Sequence, residues 1–124
     1  MSSTESFAIQ VSEALKLLSA DEWALTTFRE RAVVGITPPV AFETIVDILK
    51  VASHQNDQYA FATCCWLAMD FARISETTQA PDGLIAALNV LLPIAKDKGL
   101  ENEISPLLSW YRLTLNYGSE ISNN

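Results

Sequence analysis

The residues that could do chemistry are few. The single histidine, His54, falls on a row with Glu43, Asp47 and Lys50 at i, i+4, i+7 and i+11, which is the exposed stripe of a helix. A general base could sit in such a row, but the spacing reads first as a solvated face. The two cysteines, Cys64 and Cys65, are adjacent. A disulfide between them would need a strained ring that helical geometry cannot supply, and no further Cys or His lies near enough in sequence to make a metal site, so both are expected as buried thiols. Asp70 and Arg73 stand at i, i+3 in an otherwise apolar segment and are expected to form a local ion pair. No glycine-rich phosphate loop, HExxH, CxxC or GxSxG pattern occurs. The expectation is therefore no enzyme, no cofactor and no metal.

Composition narrows the partners. The 124 residues carry 15 acids against 8 bases, a formal charge of −7, with the acids spread along the chain. Clustered Lys and Arg are what bind a phosphate backbone, so no nucleic acid is expected. Hydrophobic residues make up 49%, which leaves two readings open: a well-filled core, or apolar surface destined for a partner or a second copy. No stretch reaches the roughly 20 apolar residues of a membrane span, and the start, MSSTESF, has no signal-type character. A cytoplasmic setting and no membrane partner are expected.

These residues are positioned by helices. The segment from Tyr59 to Ile74 has no charge between Gln58 and Met69 and is apolar on every side, so it is expected to lie at the centre, with Trp66 buried in it. Before it, Thr4 to Leu18 places Phe7, Val11, Leu15 and Leu18 on one face. A second helix, capped by Asp21 and running to about Val33, turns Ala24, Leu25, Phe28 and Ala32 inward. Gly35 ends that helix, and Thr37-Pro38-Pro39 starts a third that runs to about Ser53 with Val40, Ala41, Ile45, Ile48, Leu49 and Ala52 inward. After a polar connection from Ser75 to Asp82, the segment from Gly83 to about Lys98 is again apolar around its circumference. It is expected to pack beside the central helix and to kink at Pro93. A last helix from Ser105-Pro106 to about Tyr117 has a thin polar stripe between two apolar flanks.

The whole is expected to be one all-α domain, residues 1–124, with 1–3 and 118–124 frayed. Six helices group as three antiparallel hairpins, Thr4–Val33, Pro38–Ile74 and Pro81–Tyr117. That arrangement resembles a short HEAT-like array, in which each helix pair buries its face against the next, and equally suits a compact helical bundle. The expected function is a non-enzymatic protein–protein interaction module: an adaptor, a chaperone-like protein or an inhibitor of the immunity type. The alternative is a small-molecule or lipid binder with an apolar cavity. Trp110, Arg112, Tyr117 and Trp23 lie off the inward stripes and are the expected partner-binding or self-association residues.

Overall fold

The computed structural model describes the backbone of residues 3–17, 23–116 and 120–123. Within them the chain is all-α, a compact helical bundle with one short terminal hairpin. The helices are α1 (Ser3–Leu17), α2 (Ala24–Ala32), α3 (Pro38–Ser53), α4 (Gln58–Ser75), α5 (Leu84–Lys98) and α6 (Ser105–Trp110), with a single 3₁₀ turn at Glu101–Glu103. They lie in two layers. In one, α3 packs between α1 and α5; in the other, α4 packs between α2 and α6, and the α3–α4 hairpin joins the layers through the largest helix–helix interface of the molecule.

Local chemistry sets most of the boundaries. Prolines 38 and 39 occupy the first positions of α3, where a missing N–H costs nothing, with Thr37 extended at the cap position. Asp57 caps α4 through a carboxylate oxygen that accepts from the Ala60 N–H at 2.9 Å. Gly99, at φ +69°, closes α5 in the left-handed conformation. Removing the Asp57 cap by Asp57→Ala is expected to cost ~1 kcal/mol in chemical unfolding, because the side chain is exposed and contributes little else.

The core runs through both layers. Val11 from α1, Phe28 from α2, Ile45 and Ile48 from α3, Phe61, Leu67 and Phe71 from α4, and Leu88 and Leu91 from α5 are all buried. Phe7 tilts against Phe71 with ring centroids 6.1 Å apart. Cys64 and Cys65 are fully buried free thiols within this core.

Several expectations are corrected. Trp66 is not buried: it keeps 38% of its surface exposed on α4. Each helix in a two-layer bundle has one side facing outward, and among the described residues no helix packs over that side of α4 at Trp66. Val40 is 45% exposed rather than inward. Helix α5 packs on α3, not along α4, and leaves Val90 58% exposed; as expected it runs to Lys98 with Pro93 inside it, on the exposed side. The last helix stops at Trp110, well short of Tyr117. Arg112 takes φ +55°, a left-handed conformation that ends helical hydrogen bonding, and Leu113–Asn116 then pairs as an antiparallel strand with Glu120–Asn123. The alternation and β-branching of Leu113-Thr114-Leu115 suit a strand. Helix α2 begins at Ala24 rather than after Asp21, which lies outside the described residues together with Leu18. Among the described residues no helix is long and apolar enough to cross a membrane.

Candidate interaction surface

Tyr59, Trp66, Asp70 and Arg73 are spaced i, i+7, i+11 and i+14 on α4, so they form one stripe along its outward side. Tyr59 is 71% exposed at the start of the helix. Trp66 lies about two turns further and is held from both sides. The Arg29 guanidinium of α2 lies over its ring, 5.6 Å from the centroid, and its indole N–H donates to a Glu103 carboxylate oxygen of the 3₁₀ turn. A cation on the ring face and an acceptor at the ring edge fix the side chain without burying it.

Arg29 is itself fixed. Its Nε and Nη2 donate to the two carboxylate oxygens of Asp70 at 2.6 and 2.9 Å, a bidentate fork across α2 and α4. The hydrogen bond to Asp70 raises the already high pKa of Arg29, against the opposing effect of partial burial. The expected Asp70–Arg73 pair also forms, more loosely, at 3.7 Å, so the dominant partner of Asp70 comes from another helix. Beside this pair α2 and α4 leave an open groove of about 450 Å³ lined by Thr26, Glu30, Val33, Arg73 and Ile74. Arg29 meets both Trp66 and Asp70, and Val33 and Ile74 line the same groove. Trp23 is 64% exposed, directly ahead of α2.

The residues singled out from the sequence are not brought together. Trp23 is exposed ahead of α2. Trp110 is half-buried against the core, and its indole N–H donates to the Thr77 carbonyl at 2.9 Å, pinning the connection after α4. Arg112 is exposed at the bend after α6. Tyr117 lies outside the described residues. Trp66, expected in the core, and Tyr59 and Arg29, not singled out from the sequence, make this surface instead; the signal that finds the first two is the seven-residue spacing that continues to Arg73.

Elsewhere the candidates for chemistry stay apart. His54 is exposed at the end of α3. Burial pushes the Cys64 thiol up to about 12, and burial, the neighbouring Cys64 and the Glu103 carboxylate push Cys65 up as well, so neither is a nucleophile near neutral pH. Tyr111 is buried, which raises its phenol to about 12, and its hydroxyl has no hydrogen-bond partner among the described residues. Among the described residues no three His, Cys, Asp or Glu side chains are grouped as metal ligands. Comparison with protein-family models, with curated proteins and with solved structures gives no match for this chain.

Proposed function

We propose that this chain is a non-enzymatic protein–protein interaction module, an adaptor, chaperone-like protein or immunity-type inhibitor, that works in a reducing cytoplasm and anchors its partner on the outward stripe of α4. The observation that carries this reading is Trp66, an exposed indole held ready by Arg29 and Glu103. A side chain already fixed loses little rotamer freedom on binding, and Trp, Tyr and Arg are the residue types that dominate interface energies. Tyr59 and Arg73 extend the same stripe, and Trp23 is a further exposed aromatic, ahead of α2. The small-molecule alternative has less behind it, because the groove between α2 and α4 opens to solvent and is not enclosed in the core.

The test uses the intact protein and its Trp66→Ala variant as paired baits, followed by titration of the captured partner. The partner is expected to bind the variant at least ~30-fold more weakly, the effect of losing an anchor worth ~2 kcal/mol, while both forms unfold cooperatively. A partner that binds both within twofold of each other removes Trp66 as the anchor and with it this reading.

A further inference from the structure

The other layer carries a second surface of different chemistry. Three grooves of about 390, 340 and 370 Å³ follow one another along α3. The first two share Phe42 and Glu43, and the last two share Val46 and Asp82, so they adjoin as one trough along α3 that narrows where Val46 approaches Gly83. Its length is that of α3 from Pro38 to Ser53, roughly 24 Å at 1.5 Å per residue. One wall is α3. The other is the connection before α5 and then α5 itself, where Gly83, Ala86, Ala87 and Val90 follow at i, i+3, i+4 and i+7.

We propose that this trough binds a basic amphipathic helix of about four turns contributed by another protein. Charge decides the sign. Glu43 and Asp82 line the middle section from opposite walls, both exposed and neither in a salt bridge among the described residues. Lys50 is the one cation lining the trough and lies in its far section. Lys or Arg beside the apolar stripe of an incoming helix meets two carboxylates there, and the net charge of −7 favours its approach.

Backbone chemistry decides the conformation. Where the walls are helices their backbone groups are bonded internally, so they offer no sheet edge to an extended strand; a helix brings its own backbone satisfied. The small residues on the α5 wall let a helix axis come close, while Val46 and Val90 supply apolar contact. A second copy of this chain does not fit as well, since it brings the same acidic excess.

The probe is a capped 16-residue helical peptide with a leucine stripe flanked by lysines, compared with the same peptide carrying glutamate for lysine. Anisotropy titration is expected to show binding of the lysine peptide at least tenfold tighter than the glutamate peptide and weakened by salt. Amide shifts are expected to gather along Phe42–Ser53 and Gly83–Val90. The double variant Glu43→Gln/Asp82→Asn, and separately Val90→Glu, each at an exposed site, are expected to weaken binding about tenfold, and Trp66→Ala to leave it unchanged. Absence of binding, equal binding of both peptides, indifference to the trough variants, or shifts centred on Trp66 and Arg73 each overturn the proposal.

Discussion

Replacing Phe61 by alanine is expected to remove ~3–5 kcal/mol of stability, the range for truncating a fully buried aromatic. Phe61 has no exposed surface and lies on α4 where the two layers meet. It also organises the end of α5, because the Lys98 ammonium lies 5.9 Å from its ring centroid while donating to the Asn56 carbonyl at 3.2 Å. The loss therefore combines a cavity, fewer dispersion contacts and a weakened tie between α5 and the start of α4. Small domains hold only ~5–15 kcal/mol in total, so the variant should unfold at markedly lower urea. Trp66→Ala, five residues along the same helix, should cost clearly less, since part of that ring already faces water. If urea titration ranks the two the other way round, Trp66 is the core residue and the outward stripe of α4 is misplaced.

That pair of aromatics shows how far the sequence could be read. Apolar periodicity placed the inward residues of α1, α2 and most of α3 correctly, because Val11, Phe28 and Ile45 sit on stripes flanked by charges that must face water. Proline and glycine marked the start of α3 and the end of α5 because their backbone constraints act locally. On α4 periodicity has no reference: without a charge between Gln58 and Met69 no polar side orients the helix, and Trp and Tyr count as apolar although each has a polar edge. The groups that hold Trp66, Arg29 and Glu103, are 37 residues away in either direction along the chain, so no local pattern contains them. The end of α6 failed for a related reason. Arg112 adopts a left-handed conformation that glycine usually supplies, and its residue type gives no warning of it.

Alkaline pH is expected to destabilise this protein through its two central thiols. Burial raises Cys64 from an ordinary value near 9 to about 12, and Cys65 moves in the same direction. A folded-state pKa above the unfolded one means that the native chain holds its proton more tightly. The resulting stability is therefore fully present below pH ~9 and is lost as pH rises from there towards 12. Each thiol changes the unfolding free energy by up to ~1.4 kcal/mol per pH unit in that window, a steep loss for a domain that holds only ~5–15 kcal/mol in total. Tyr111, raised to about 12 by its own burial, acts in the same sense at the upper end. The physical origin is that neither thiolate has a cation to replace its lost water; Cys65 instead has the carboxylate of Glu103 nearby. Urea midpoints measured between pH 7 and 11 under reducing conditions are expected to hold nearly level to about pH 9 and then fall steeply. In the Cys64→Ala/Cys65→Ala variant the fall should be much shallower, even though the variant starts from lower stability at pH 7. An equal alkaline slope in both proteins places the titrating groups elsewhere and contradicts the burial of the two thiols.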